Sequence, residues 1–284
     1  KFDRKNYPYP DLMKGYQISQ YDKPIATSGI LEIQVDGSTK RIRINRVHME
    51  EDVAKLSHSQ DEGEFSYSLL DINRAGIPLM EIVSEPDLRS PEEARAYLIS
   101  LRSILQYINV STANMEEGNF RCDANISLKQ FGDKELGPKV EIKNMNSFKA
   151  VYEAIQYEIK RQTKLKDADE RILSETRGWV EEKGITVSQR SKEEIADYRY
   201  FPEPDLPPLE IDSTLIKNIN EKLPELPSVK KTRLMDEYSL NDYDAEIIIA
   251  SKQIAEYFES VMVTRVLPEE QKVVYGKNVA NWII

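Results

Sequence analysis

Hydrophobic and polar positions change rhythm several times along the chain, and each rhythm predicts an element. Ile30-Leu31-Glu32-Ile33-Gln34-Val35 and Arg41-Ile42-Arg43-Ile44-Asn45 alternate apolar with polar, the period of a half-buried strand. Asp36-Gly37 between them predicts a tight hairpin turn. The run His48-Met49-Glu50-Glu51-Asp52 follows that hairpin directly and carries three acids in a row. Pro78-Leu79-Met80-Glu81-Ile82-Val83 reads as a further strand. A helix is expected next, with Ser90 as N-cap, Pro91 in the first turn and Glu93 completing a capping box. Ala94, Leu98, Leu101, Leu105 and Ile108 form its apolar stripe.

Alternation returns in Cys122-Asp123-Ala124-Asn125-Ile126-Ser127-Leu128 and again in Val140-Glu141-Ile142-Lys143-Asn144, a long hairpin. Successive strand side chains point to opposite faces. Asp123, Asn125 and Ser127 should therefore share a polar face, as should Glu141 and Lys143, and pairing would merge the two. Ser147 is placed to cap a second helix with Val151, Ala154, Ile155 and Ile159 inward. Prolines 202, 204, 207 and 208 exclude helix or sheet interior and predict an extended boundary segment. Beyond it the pattern turns helical, for example from Ala245 to Phe258. The expectation is an α+β domain over residues 1–212 and the beginning of a helical domain over 213–284.

The 284 residues, 40% hydrophobic and 31% charged, suffice for a large core. A net charge of −10 argues against holding nucleic acid mainly by non-specific phosphate attraction, while leaving room for a local basic patch. Cys122 is the single cysteine, so no intramolecular disulfide forms, which fits a reducing, cytoplasmic compartment. No apolar run approaches the roughly 20 residues of a membrane span. The chain opens without methionine and stops within an apolar helical pattern at Asn281-Trp282-Ile283-Ile284, which suggests a piece of something longer.

Glu81 is the most informative acid. Its same-face neighbours on strand spacing are Leu79 and Val83, and a carboxylate on an apolar face is costly unless paired, protonated or bound to a cation. A rim position on an edge strand, or an arginine partner, is the plainer account of it. Glu50, Glu51 and Asp52 repel one another, which a hard divalent cation relieves. Magnesium takes one or two protein carboxylates plus water and phosphate oxygens. A solvated acidic turn is the plainer reading. His48 either ligates or orients an acid, and His58 lies outside helical metal-ligand spacing. Arg121, Lys143 and Arg199 are candidates to hold phosphate, against ordinary surface ion pairing. The sequence lacks GxxxxGK[ST], GxGxxG, CxxC, HExxH and GxSxG patterns. Cys122 falls on the apolar side of its strand and reads as core rather than nucleophile.

Seven runs in order carry a resemblance. They are Lys14-Gly15-Tyr16-Gln17-Ile18-Ser19-Gln20, His48 to Asp52, Asp71 to Asp87, Met115-Glu116-Glu117-Gly118, Arg121-Cys122-Asp123-Ala124-Asn125, Glu141 to Ser147, and Asp197 to Asp205. Together they resemble the B subunits of bacterial aspartyl/glutamyl-tRNA amidotransferases. The resemblance spans most of residues 1–210 and continues more weakly beyond.

It implies a glutamine-synthetase-like cradle domain, mostly antiparallel sheet with helices. It implies ATP and Mg2+ as cofactors, and activation of a tRNA-borne Glu or Asp carboxylate as an acyl phosphate. Ammonia from a glutaminase A subunit then displaces the phosphate, a small C subunit completes the assembly, and misacylated tRNA is the substrate. Phosphoryl transfer needs positioning and charge neutralisation more than a protein nucleophile. By the same resemblance Glu51 and Glu81 map onto metal ligands. His48, Glu50, Asp123 and Lys143 are placed near the catalytic centre, and Arg121 and Arg199 in contact with phosphate. Two departures stand out. A Gly-Leu-Glu-Val-His-Val-type strand of the family, whose acid and histidine help hold metal, does not occur, so this stretch alone is expected to be inactive. Val53-Ala54 replaces the usual Ala-Gly after the acidic run. A non-catalytic tRNA- or partner-binding scaffold, and a stand-alone ligase using free ammonia, are the competing readings.

Overall fold

The computed structural model describes residues 1–58, 67–130, 132–191 and 198–284. Seven strands come first: β1 (Asp3–Asn6), β2 (Tyr16–Ser19), β3 (Ala26–Val35), β4 (Ser38–Glu51), β5 (Lys55–His58), β6 (Ser68–Asp71) and β7 (Pro78–Ser84). Helix α1 (Pro91–Tyr107) leads to β8 (Cys122–Ile126), β9 (Val140–Met145) and α2 (Phe148–Asp167). Then come β10 (Glu175–Val180), β11 (Ile185–Ser191) and β12 (Phe201–Pro202). Helices α3 (Ser213–Lys222), α4 (Pro227–Tyr238), α5 (Asp242–Ile249), α6 (Lys252–Met262) and α7 (Glu269–Ile283) follow. The class is α+β, as the alternation patterns require.

The first sheet runs β12-β1-β2-β4-β3, with β7 also paired to β4. Its centre is the expected hairpin. Val35 pairs with Ser38, so Asp36-Gly37 is a two-residue turn, and both turn residues have positive φ (50° and 74°). That conformation matches the strand twist and needs glycine or a short polar residue. β4 runs on to Glu51, so His48, Glu50 and Glu51 lie within a strand rather than in a turn after it. Only Asp52 leaves the ladder, because its N–H and C=O bond to the 76–77 turn instead.

The second sheet runs β11-β10-β9-β8. β8 and β9 form the expected antiparallel hairpin, while β9 and β10 pair in parallel through α2. Ser147 Oγ caps α2 by accepting from Ala150 N at 3.0 Å, and Ser90 Oγ caps α1 by accepting from Glu93 N at 3.2 Å. The capping box is altered: the Glu93 carboxylate accepts from Arg89 N at 2.6 Å and pairs with Lys40. It therefore ties the helix start to β4.

One core joins these layers. Leu31, Ile33 and Ile42 of the first sheet, Ile126, Ile142 and Trp179 of the second, and Tyr97, Leu98, Val151 and Ala154 of the two helices pack together. The apolar faces of both sheets are thus covered by helices, and their polar faces are left for chemistry. A second core gathers Leu234, Tyr238, Ile248, Phe258 and Met262 from α4–α6 with Val279 and Ala280 of α7. Tyr107, at the end of α1, belongs to it and donates its hydroxyl to Ile249 O at 2.9 Å. The pattern from Ala245 to Phe258 is broken into two helices, because Ser251 adopts an extended backbone and caps α6. No helix among the described residues is long and apolar enough to cross a membrane.

Candidate functional site

The polar face around β4 and β7 gathers the acids. His48 and Glu81 are direct cross-strand partners. Glu50 lies two residues from His48, on the same face by strand alternation. His48, Glu50 and Glu81 each offer a ligand atom within 4.8 Å of the others. His48 is fully buried, Glu50 nearly so, and the Glu81 side chain is 47% exposed. The exposure removes the desolvation penalty inferred for Glu81 from its apolar neighbours. Glu81 stands on an edge strand, with Arg46 Nη2 3.9 Å away.

Glu50 is the anchored member. Ser19 Oγ donates to its Oε1 at 3.0 Å and Gln17 Nε2 to its Oε2 at 3.3 Å. His48 Nε2 lies 3.1 Å from Oε1, and since a carboxylate only accepts, this nitrogen carries the proton. Burial acts to raise the Glu50 carboxyl. The His48 bond, the Lys5 and His48 charges and the Ser19 hydroxyl outweigh it and hold the group below its ordinary value. His48 Nδ1 is buried without a hydrogen-bond partner.

Glu51 is set apart from this cluster. Its carboxylate accepts from Ile18 N at 2.9 Å and pairs with Lys14 at 2.6 Å. Asp52 is bonded to Arg121, which occupies that guanidinium with a protein carboxylate. Arg199 is exposed with φ 42°, and its carbonyl accepts from Asn6 Nδ2 at 2.8 Å. His58 ends β5, and its side chain lies outside the described residues.

The second sheet contributes a separate polar surface. Lys143 Nζ bonds Asp123 at 2.7 Å and lies 3.8 Å from Glu141. Glu141 in turn accepts from Thr176 Oγ1 at 2.9 Å and faces Asn125 across the hairpin. The expected merged face therefore forms, except that Ser127 lies beyond the strand and bonds to the Gly137 carbonyl. A register shift between Cys122 and Ala124 bulges β9 at Lys143-Asn144, and Asn144 takes φ 65°. Bulges of this kind re-aim side chains. Cys122 packs on the core side, and burial pushes its thiol up to about 12, so it stays protonated and inert.

The two surfaces are stitched at one place. Arg121, just before β8, reaches Asp52, just after β4. Arg74 donates to Gly118 O at 2.6 Å and Glu117 O at 2.5 Å, fixing the turn before β8 against the turn before β7. Gly118 is required there, since its φ is 70° and an added Cβ would lie 3.1 Å from Arg74 Nη1.

Tyrosines form a wall that acids and cations in the sequence do not announce. Tyr21 and Tyr200 stack at 5.6 Å with planes 16° apart, and Tyr21 meets His48 edge-on at 6.2 Å. Tyr198 touches Tyr200 and Tyr7 edge-on. Tyr198 and Tyr200 lie in the 197–205 run and Tyr21 directly follows the 14–20 run, so their place in the sequence was the available signal.

The family described as the GatB/GatE catalytic domain matches residues 1–217. The chain belongs to that family. Its relatives are named as the B subunits of aspartyl/glutamyl-tRNA(Asn/Gln) amidotransferases. The one from Dehalococcoides mccartyi strain CBDB1 is 60% identical over 287 residues, covering 100% of this chain and 58% of the relative. The one from Carboxydothermus hydrogenoformans is 53% identical over 284 residues, covering 100% of this chain and 57% of the relative. That from Moorella thermoacetica is also 53% identical, with 58% of its length covered. The chain thus spans a little under three-fifths of the length of these relatives, and the family match ends midway through α3.

Proposed function

We propose that this chain is the catalytic part of the B subunit of an amidotransferase. In this reading it uses ATP and Mg2+ to activate the side-chain carboxylate of Glu or Asp carried on tRNA. The amide is completed with ammonia from glutamine hydrolysed by a partner A subunit, and the same cytoplasmic assembly includes a small C subunit. The names of the relatives support the tRNA amidation. The observation carrying the chemistry is the meeting of His48, Glu50 and Glu81 on one sheet face.

That donor set fits a hard divalent ion. Two carboxylates, one buried and one open to solvent, leave room for water and phosphate oxygens, which is how magnesium is usually held. Glu50 stays ionised, because its partners hold its carboxyl low. His48 orients it through Nε2, acting behind the carboxylate. Magnesium, when bound, supplies charge neutralisation for a phosphate. The bonding of Glu51 to Lys14 and the Ile18 N–H gives that acid the task of holding β2 against β4.

The residues of the second sheet act on the other reactant. A carboxylate is a poor electrophile until phosphorylated, and the reaction that follows releases phosphate. Lys143, as a point charge, meets developing negative charge there, and Asp123 and Glu141 hold its ammonium in place. Arg121 serves mainly to join the two surfaces through Asp52.

The test is conversion of Glu-tRNA(Gln) and Asp-tRNA(Asn) by the full-length protein co-expressed with A and C subunits, dependent on ATP and glutamine. Glu81→Gln should abolish conversion while leaving the complex assembled. An intact wild-type complex that converts neither substrate would overturn the catalytic reading in favour of a scaffold.

A further inference from the structure

We propose that Tyr200, stacked on Tyr21 beside the acidic cluster, is the platform for an adenine ring. The inference rests on the cation-and-phosphate reading above and adds the moiety recognised next to it.

The layers are already built. Arg46 lies over the Tyr21 ring at 4.6 Å, and Tyr21 lies against Tyr200 at 5.6 Å in near-parallel planes. Arg46 and Tyr200 both pack on the Tyr21 ring, so the base is placed on Tyr200, the outer ring of the stack. Both rings are open to solvent, Tyr21 by 50% and Tyr200 by 40%. Two large exposed rings held in register contribute little to the core of the protein. They form the kind of surface on which a planar base gains contact.

Rigidity comes from the surroundings. Tyr198 braces Tyr200 edge-on at 6.2 Å, and Lys5 lies over Tyr198 at 4.6 Å. The Tyr198-Arg199-Tyr200 stretch is tied down where Asn6 N–H donates to Tyr198 O at 2.7 Å and Asn6 Nδ2 to Arg199 O at 2.8 Å. The chain then enters β12, paired with β1, directly after Tyr200. A fixed aromatic ring loses little entropy when a base stacks on it.

Position makes the ligand a nucleotide rather than any flat molecule. Tyr21 reaches His48 of the acidic cluster edge-on at 6.2 Å, and Tyr200 stacks on that same Tyr21 ring. A base on Tyr200 therefore has its phosphates directed at the carboxylates that fit a cation. Two sources present an adenine: ATP, and the 3′-terminal adenosine of a tRNA. The shared chemistry is one adenine ring stacking on one tyrosine.

The experiment uses the full-length protein in magnesium buffer with three probes: ATP, inorganic tripolyphosphate, and an acceptor-stem RNA with or without its terminal adenosine. Affinities are read by equilibrium dialysis for wild type, Tyr200→Ala and Tyr200→Phe, with circular dichroism to check the fold. Base–aromatic stacking predicts that Tyr200→Ala weakens the adenine-bearing probe about tenfold and that Tyr200→Phe retains it. Tripolyphosphate affinity should be unchanged in both. Weakening confined to ATP assigns the platform to the nucleotide. Weakening confined to the RNA, and lost when the terminal adenosine is removed, assigns it to the tRNA end. If no probe loses affinity in a folded Tyr200→Ala protein, the platform is overturned, although magnesium-dependent tripolyphosphate binding would leave the cation reading standing. Tripolyphosphate that fails to bind wild type, with ATP still sensitive to Tyr200, would sink the cation reading and keep the platform.

Discussion

His48 on β4 stands directly across from Glu81 on β7, and Glu50, two residues along β4, closes the group to within 4.8 Å. The neighbouring Glu51 belongs to a different arrangement, bound to Lys14 and the Ile18 N–H. The two adjacent glutamates therefore predict opposite phenotypes. In manganese titrations of the full-length protein followed by electron paramagnetic resonance, Glu50→Gln and Glu81→Gln should each weaken the ion about tenfold or more. Glu51→Gln should leave ion affinity within about twofold and lower thermal stability instead. Equal loss in all three variants would contradict the separation of roles.

Arg121 supplies the bond to nearly buried Asp52, and with it the join between the two polar surfaces. Arg121→Met should strand that carboxylate and cost about 1–3 kcal/mol, read as a lowered melting temperature. Asp52→Asn with Arg121→Met should recover part of the loss, because the uncompensated charge is gone. No recovery in the double variant would mean the pair matters for something other than charge.

The bulge at Lys143-Asn144 is a backbone device, so its prediction discriminates among side chains by conformation. Asn144 sits at φ 65°, where glycine is relaxed and asparagine tolerated, whereas a β-branched residue is strained. Asn144→Gly should fold with near wild-type stability. Asn144→Val should lose about 1–2 kcal/mol and misplace Lys143 from Asp123. Chemical denaturation of both variants decides the point, and an Asn144→Val as stable as Asn144→Gly would refute it.

Much of this architecture was legible in residue order, and the failures have physical causes. The Asp36-Gly37 hairpin and both serine caps rest on local chemistry and appear where spacing placed them, and the hairpin of β8 with β9 forms as expected except at the Lys143-Asn144 bulge and at Ser127. β10 was not legible because Glu175, Thr176 and Arg177 interrupt any apolar alternation, and β11 because its alternation is inverted, with Thr186 buried and Val187 exposed. They are accommodated by a buried network in which Arg161 and Arg177 hold Glu158 and Glu175. The pairing of Arg121, a phosphate-contact candidate, with Asp52 of the acidic run was not legible, since sequence shows charge but not that two charges will find each other. Glu81 looked costly because strand spacing reveals its neighbours on β7 but not that β7 is an edge. The tyrosine wall draws on the segment after β2 and on the approach to β12, and no single stretch displays it.

In the helical part, acid sensitivity should concentrate on one cluster. Arg233 bonds Glu225 at 2.7 Å and also Glu259, and Lys230 reaches Glu259 at 2.6 Å. Glu225 is held low chiefly by its bond to Arg233. For Glu259, burial pushes upward, and Lys230 and Arg233 outweigh it. Both carboxyls are thus below their ordinary 4.5 in the folded state. Their stabilisation is fully present above that value and is lost as pH falls through the lower, folded values. Melting curves of wild type and Arg233→Met should therefore differ most near neutrality and draw together as acid protonates the two carboxyls. A gap that stays constant on acidification would mean packing, not charge, underlies the Arg233 contribution.

Gly276 sets α7 against α4 and offers a test in which two effects oppose each other. A Cβ at this position would lie 2.9 Å from both Cβ and Cδ1 of Tyr238. Tyr238 is itself buried and packs edge-on against Phe258 at 5.3 Å, so its ring has little room to withdraw. Helix propensity alone favours alanine over glycine by about 1 kcal/mol. Overpacking a close helix contact costs about 1–3 kcal/mol, and the contact here is with the root of a side chain rather than a flexible end. The clash should win: Gly276→Ala lowers the melting temperature of the helical part, and Gly276→Leu lowers it further. Tyr238→Leu, by removing the ring that the new Cβ meets, should make Gly276→Ala less harmful in the double variant than alone. A Gly276→Ala protein that melts higher than wild type would show that α7 shifts freely and that the close approach is not a constraint on the bundle.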